Sequence, residues 1–365
     1  MPQPTSGAAR TRAVTLRDVA QLAGVSVATA SKALNGRQQV RAETRDKVLR
    51  AANRLSFQPN PMARGLLAGR TDTVGLLTND LDGRFSIPIL MGAEDAFGVG
   101  RAAVFLCDAR GDAIREQHHL DALLGRRVDG LIVVGSRTDP RPSLGRDLPV
   151  PVVYAYAPSD DPEDHSIVPD SRGAGRLAVR HLLDCGRTRV AHIAGDRGYA
   201  AARERAEGAG DALADAGLAF AGEPLFGDWS ESWGRTAATL LLDRHPEIDA
   251  FLCANDLLAR GAMDVLRERG LRVPQDVAVM GFDNWEILVA GSRPALTSVD
   301  LDLEQVGRRA ARAVLRAREG RSGSGTELQE GRVVAGDPHA PPGPGPAAGE
   351  RVRGEPAGRV HAGLT

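Results

Sequence analysis

The chain has 365 residues, 42% hydrophobic and 25% charged, enough to fill two or three domains and too apolar for a chain disordered throughout. No run approaches the roughly 18 apolar residues that cross a bilayer, Met1–Arg12 lacks an apolar signal core, and Cys107, Cys185 and Cys253 are too scattered for a disulfide framework, so a cytoplasmic protein is expected. The formal charge of −1 hides an asymmetry: residues 1–70 carry twelve Arg/Lys and three Asp/Glu, a net of +9, against −10 for the rest. That pattern points to a polyanion partner for the first part alone.

Thr15-Leu16-Arg17-Asp18 has the form of a capping box, with an acid three residues after a hydroxyl N-cap. Leu16, Val19, Ala20 and Ala23 then share a face, and Gly24 supplies a left-handed stop. Ser26 can cap a second helix over about Val27 to Leu34, ended by the turn Asn35-Gly36. A third helix, about Ala42 to Leu55, turns Val48, Ala51, Ala52 and Leu55 inward. The first pair has helix-turn-helix spacing. On the second helix Val27, Ala28 and Lys32 lie on one side and are short or cationic, able to enter a major groove. Ser26, Thr29, Ser31 and Asn35 offer small hydrogen-bonding groups for phosphates. A structural helix corner is the alternative, and the charge asymmetry argues against it.

In Pro59-Asn60-Pro61-Met62-Ala63-Arg64-Gly65-Leu66-Leu67, Asn60 can cap a helix that opens on Pro61. About eight residues is too short for a stable isolated helix, and Gly65 weakens it further. The expectation is a hinge, helical only when held by DNA and a second copy, with Asn60, Ala63 and Leu66 on the minor-groove side and an apolar residue wedging a base step. A plain linker is the alternative, against which the apolar pair Leu66-Leu67 stands.

The run Val14 to Ala20, then Ala23 to Asn35, resembles the LacI/GalR family of bacterial transcriptional regulators, and Asn60 to Leu66 is similar to that family's hinge helix. Ala30 and Lys32 stand where Val and Arg are commoner. The resemblance implies that Val27, Ala28 and Lys32 read base edges and that Leu66 inserts at the centre of a near-palindromic operator.

From Val74 onward apolar runs alternate with amphipathic stretches. Strands are predicted at Val74–Leu77, Ala103–Cys107, Gly130–Val134, Val152–Tyr154, Val190–Ile193, Ala250–Cys253 and Val277–Met280. Helices are predicted near Ile89–Phe97, Ile114–Leu124, Gly173–Cys185, Ala200–Ala216, Trp233–Leu242 and Leu257–Arg269. Such alternation gives parallel sheets covered on both faces, with a break at Pro158–Pro169 dividing two lobes. The fold expected is an all-α helix-turn-helix headpiece followed by an α/β body; the resemblance implies that this body is two-lobed, like periplasmic sugar-binding proteins, with ligand in the cleft and a return to the first lobe from Val299-Asp300. The ranges expected are a disordered extension at 1–13, headpiece 14–58, hinge 59–70, effector and dimerisation body 71–335, and a Gly/Pro-rich disordered tail at 336–365.

Ligands of open α/β sheets sit beyond strand carboxyl ends. Thr78-Asn79-Asp80, Asp170, Asn255-Asp256 and Asp283-Asn284 fall there, and acids and amides in such places suit sugar hydroxyls; each is alternatively a helix cap. The resemblance implies that Asp170, Arg205, Asn255 and Asp283 are effector-site positions, with Arg203 as the alternative to Arg205. Asp228-Trp229-Ser230 is similar to the stretch that lays a tryptophan over the sugar in a sugar-responsive family member; a core tryptophan is the other reading. Asn79 and Phe85 are assigned to the first-lobe wall. There, Gly83-Arg84-Phe85-Ser86 replaces the Asn-Pro-Phe-Phe of many members, which leaves that wall and the ligand open.

Gly98-Val99-Gly100-Arg101-Ala102-Ala103 mimics a dinucleotide fingerprint but runs from helix to strand, the wrong order. His118-His119 point about 100° apart on a helix, a poor metal pair. No nucleophile elbow occurs, so no enzyme, metal or cofactor is expected. The expected function is a homodimeric repressor that binds double-stranded operator DNA and answers to a small polar effector, a sugar or sugar derivative. A solute-binding protein feeding a sugar transporter is the alternative.

Overall fold

The computed structural model describes residues 14–34, 39–57, 70–79, 81, 84–98 and 102–336. The expected terminal extension 1–13, the hinge residues 59–69 and the tail 337–365 lie outside them. Among the described residues no helix is long and apolar enough to cross a membrane.

The headpiece is three helices, α1 (Leu16–Ala23), α2 (Val27–Leu34) and α3 (Ala42–Arg54). They close around Val19, Ala20, Ala30, Ala33, Val48, Ala51 and Ala52, all buried. Small residues at these crossings let short helices approach closely enough to share so modest a core.

In the first lobe of the body come β1 (Thr73–Thr78), α4 (Ser86–Phe97), β2 (Ala103–Asp108), α5 (Ala113–Gly125), β3 (Leu131–Val134), β4 (Val152–Ala155) and β5 (His165–Pro169). The second lobe follows with α6 (Ser171–Asp184), β6 (Val190–Ala194), α7 (Ala200–Asp215), β7 (Leu225–Phe226) and α8 (Glu231–Arg244). It continues through β8 (Ala250–Cys253), α9 (Asp256–Glu268), β9 (Ala278–Phe282), α10 (Glu286–Val289) and β10 (Thr297–Asp300). The chain then returns to the first lobe for α11 (Leu303–Arg318) and β11 (Gly325–Gln329), and ends its described part with β12 (Arg332–Val334) in the second. The two sheets repeat one plan: β2-β1-β3-β4-β5-β11 and β7-β6-β8-β9-β10-β12. Pairing is parallel from β1 through β3 and β4 to β5 and β11, and from β7 through β6, β8 and β9 to β10; β12 is antiparallel to β10.

Alternate strand residues serve opposite faces, as the pleat demands. Ala191, Ile193, Phe251, Cys253 and Val279 pack on α8 and α9, whereas Val190, Leu252, Met280 and Phe282 pack on α6 and α7. The first lobe buries Leu76, Ile132, Val134 and Val153 against α4 and α11.

The expected break at Pro158–Pro169 is corrected: it contains β5, fully buried between β4 and β11, and the crossing begins one residue later at Asp170. A second crossing runs through Asp300–Asp302, as expected from Val299-Asp300, and a third joins β11 to β12. They are tied together. Asp170 N–H donates to Gln329 O at 2.8 Å, and Arg332 Nη2 donates to Asp300 Oδ2 at 2.7 Å.

Helix α7 is seated by glycines. A Cβ on Gly208 would overlap the carbonyl oxygen of Arg172 on α6, and one on Gly175 would overlap that of Arg205. Gly92 and Gly307 make the same reciprocal approach between α4 and α11. Gly208→Ala should therefore cost about 2 kcal/mol or more through forced separation of α6 from α7. Gly210→Ala, whose Cβ would meet only Phe220 at 3.5 Å, should be neutral or stabilising by up to about 1 kcal/mol. Urea unfolding of the two variants decides it, and equal midpoints would refute the seating.

Candidate functional site

Two surfaces carry chemistry, and each is described within its own unit. In the headpiece, Thr15 N–H donates to Asp18 Oδ2 at 2.8 Å and Asp18 N–H to Thr15 Oγ1 at 3.4 Å, closing the capping box on α1. Gly24 takes φ +65° and turns the chain into α2. There the Ser26 hydroxyl accepts from Thr29 N–H at 3.1 Å and shares a 2.8 Å bond with the Thr29 hydroxyl. With Ala30 and Ala33 turned into the core, Val27, Ala28 and Lys32 are left exposed, Val27 to 43%. Ser26 is exposed, while Thr29 and Ser31 are half-buried. An apolar side chain held out beside a lysine is costly in water and useful in a groove floor. Asn35, Asn60, Ala63 and Leu66 lie outside the described residues.

The second surface is a cavity of about 230 Å³ between the lobes, lined by Arg84, Phe85, Ser136, Arg137, Thr138, Tyr156, Tyr199, Ala201, Arg205, Trp229, Asn255 and Asp283. These residues follow the carboxyl ends of β1, β3 and β4 in one lobe and of β6, β7, β8 and β9 in the other. In both sheets the strand order reverses at the β1/β3 and β6/β8 pairs, where connections leave to opposite faces and open a crevice.

Arg205, 3% exposed, is the best-held polar side chain here. Its Nη1 donates to Ala254 O, its Nη2 to Asp283 Oδ1 at 3.3 Å, and its guanidinium lies 4.8 Å from the Phe282 ring centre. Asn255 both caps α9, accepting from Leu258 N–H at 2.9 Å, and lines the cavity, so its capping role does not remove it from the cleft. Trp229 lies against Gly195, where a Cβ would collide with the ring, and meets Tyr199 edge-on at 5.7 Å. Phe85 stacks on Tyr156 at 4.6 Å. Tyr156 and Asp283 have φ of +71° and +88°, backbone conformations L-residues rarely keep unless the surroundings impose them.

Asn79 and Asp170 are not among the lining residues. Asp170 accepts from Gly173 N–H at 2.7 Å as the cap of α6, and β5 lies too far from the reversal of its sheet to reach the crevice. Arg203 turns away to Arg197 O and Asp139. Arg84, Ser136, Arg137, Thr138, Tyr156, Tyr199 and Ala201 extend the predicted set; the strand-end rule finds most of them when applied to β3, β4 and β6 as well.

The walls are under-satisfied. Arg84 Nη1, Thr138 Oγ1, Arg205 Nε and Trp229 Nε1 are buried without a hydrogen-bond partner, and each such atom costs about 1–3 kcal/mol unless something fills the space. A ligand rich in acceptors would relieve all four. Behind this wall, burial first and then the neighbouring Asp283 push the Asp256 carboxyl up to about 7, against the opposing pull of the Ser298 hydroxyl, the Trp285 N–H and Arg84. Ser298 Oγ donates to Asp256 Oδ1 at 2.6 Å and Trp285 N–H to Oδ2 at 2.8 Å.

The folded chain thus keeps the Asp256 proton up to about pH 7, whereas the unfolded chain releases it near 3.8. Stability contributed by that proton is lost as pH rises through this window. Asp256→Asn cannot ionise and can still accept from Trp285, so its melting temperature should gain on the wild type between pH 5 and 7.5. A difference that stays constant across that range in calorimetry would contradict the assignment.

Similarity to known proteins agrees with both surfaces. A family model described as bacterial regulatory proteins, lacI family, matches residues 15–60, and one described as a periplasmic binding protein-like domain matches 179–337. The chain is 38% identical over 315 residues to the transcriptional regulator CelR of Thermobifida fusca, covering 84% of this chain and 92% of that one. It is 31% identical to the transcriptional repressor PurR of Aliivibrio salmonicida, covering 82% and 91%. Among solved structures, a lac repressor dimer bound to operator and the anti-inducer ONPF matches with TM-score 0.71 and 28% identity, over 89% of this chain and 98% of that one. A complex of CelR with cellobiose matches with TM-score 0.59 and 32% identity, over 89% and 99%. The headpiece match sets aside a transporter's solute-binding protein, and these relatives are regulators of transcription, not enzymes. The chain belongs to the LacI family of bacterial regulatory proteins.

Proposed function

We propose that this chain is a cytoplasmic, homodimeric repressor whose hold on a near-palindromic operator is set by a sugar or sugar derivative bound between the lobes of its body. The observation that carries the effector half is the set of buried, unpartnered donors lining the cavity at the strand ends. Relatives lend support: a structure of CelR holds cellobiose, and one of the lac repressor is a dimer on operator. In this reading Val27, Ala28 and Lys32 meet base edges, while Ser26, Thr29, Ser31 and Asn35 meet phosphates. Asn60, Ala63 and Leu66 face the minor groove, and Phe85, Arg205, Trp229, Asn255 and Asp283 hold the effector. A ligand that binds one lobe angle better than another shifts the balance between them by its differential affinity and no more. Twofold symmetry places the half-sites about one helical turn apart.

Two variants test the halves separately. Arg205→Ala should leave operator affinity within about 3-fold of wild type while abolishing its dependence on effector, because the residue contacts the ligand and not DNA. An unchanged effector response in an electrophoretic shift assay removes Arg205 from the site. Leu66→Ala should weaken operator binding by about 10-fold or more, roughly 1.4 kcal/mol, with little change on random duplex. Equal losses on both would discard the wedge.

A further inference from the structure

The cavity carries more positive than negative charge. Arg84, Arg137 and Arg205 line it, against Asp283 alone. Arg205 is matched by Asp283, but Arg84 has no carboxylate partner among the described residues: its guanidinium carbon lies 4.3 Å from the Trp285 ring centre and 5.8 Å from that of Phe85, while Nη1 is buried and unpartnered. A ring against its face leaves the N–H edge of a guanidinium, the part that grips oxyanions, to find acceptors elsewhere, and Arg84 Nη1 on that edge has none. Arg137 also lies over an aromatic ring, 4.2 Å from the centre of Tyr199, but is itself exposed. Between them in the lining stands Thr138, 8% exposed, its hydroxyl also buried and unpartnered.

Two carboxylates close to this wall are already engaged. Asp139 accepts from Ala200 N–H at 3.1 Å and faces Arg203 at 3.5 Å, and both oxygens of Asp256 are taken by Ser298 and the Trp285 N–H. Among the described residues no carboxylate pairs with Arg84 or Arg137. A guanidinium nitrogen withdrawn from water without an anion, as Arg84 Nη1 is, is costly, and a neutral hydroxyl repays only part of that cost.

We propose that the effector bears an anionic group, a phosphoryl or a carboxylate, received on the first-lobe wall by Arg84, Arg137 and Thr138, while Arg205, Asn255 and Asp283 hold the sugar hydroxyls on the second. The inference rests on the reading of this cavity as the effector site and adds the charge of the ligand to it. Binding from both walls at once also explains why Arg84, from the loop after β1, and Trp285, from the loop after β9, meet across the cleft.

Calorimetric titration of the full chain with matched probes tests it: neutral mono- and disaccharides, each beside its phosphate ester and its uronic or aldonic acid, with inorganic phosphate as control. At least one anionic sugar should bind about 10-fold or more tighter than its neutral parent. Arg84→Met should bring that ratio within about 3-fold while sparing the neutral parent, and Arg84→Lys should keep most of it. The ester and acid series separate phosphoryl from carboxylate. A neutral parent that binds as tightly as its derivatives, or a preference untouched in Arg84→Met, overturns the charge assignment and leaves the sugar site standing. Inorganic phosphate binding as tightly as any ester overturns the sugar half. If nothing in any series binds, the sugar-effector reading falls, and this inference with it.

Discussion

A guanidinium almost wholly withdrawn from water must have every side of it answered, and in Arg205 most sides are answered by one lobe. The end of β8 gives a carbonyl, the end of β9 gives a carboxylate and a phenyl ring, and α7 fixes the stem. Because α7 is pressed onto α6 through glycines that admit no Cβ, the stem cannot drift from the strand ends it serves. Only Nε remains without a partner. The second lobe therefore presents a rigid, half-complete set of hydrogen bonds, and whatever completes it must come from the cavity or from the facing lobe. Pre-arranged polar groups of this kind bind a matching ligand without the reorganisation that weakens flexible sites.

The first-lobe wall is built on a different principle. Arg84 and Arg137 are held by aromatic faces of the opposite lobe, not by carboxylates. Such contacts are broad and tolerate sliding, with attractions of about 0.5–2 kcal/mol each. One wall fixes position and the other would tolerate adjustment if the lobes turned about their three crossings. The crossings themselves resist separation, through Asp170 with Gln329 and Arg332 with Asp300.

Long, apolar and periodic segments were legible in the sequence. Ala250–Cys253 is predicted and observed with the same ends, and the headpiece helices and their caps follow from Thr15, Gly24 and Ser26. The elements missed are those whose stabilising partner is distant. In β5 the apolar residues hide between prolines and acids, and β11 and β12 are short, partly exposed edge strands with little period of their own. Helix α11 does carry a stripe, Val306, Ala310 and Val314, beneath a coat of arginines. Among the residues expected at the cavity, Asp170 and Asn255 look alike in sequence, each polar and each between a strand and a helix. What separates them is the place of β5 and β8 within their sheets, a property of the folded topology alone.

Both sheets are completed by one short stretch, since β11 edges the first and β12 the second within residues 325–334. During synthesis the three-helix headpiece has all of its core residues by position 57, whereas neither sheet can gain its last strand until residues 325–334 have left the ribosome. At the usual rate of about 5–20 residues per second, that lag is on the order of tens of seconds. A nascent polypeptide broken off in this interval carries a folded headpiece on an incomplete effector body.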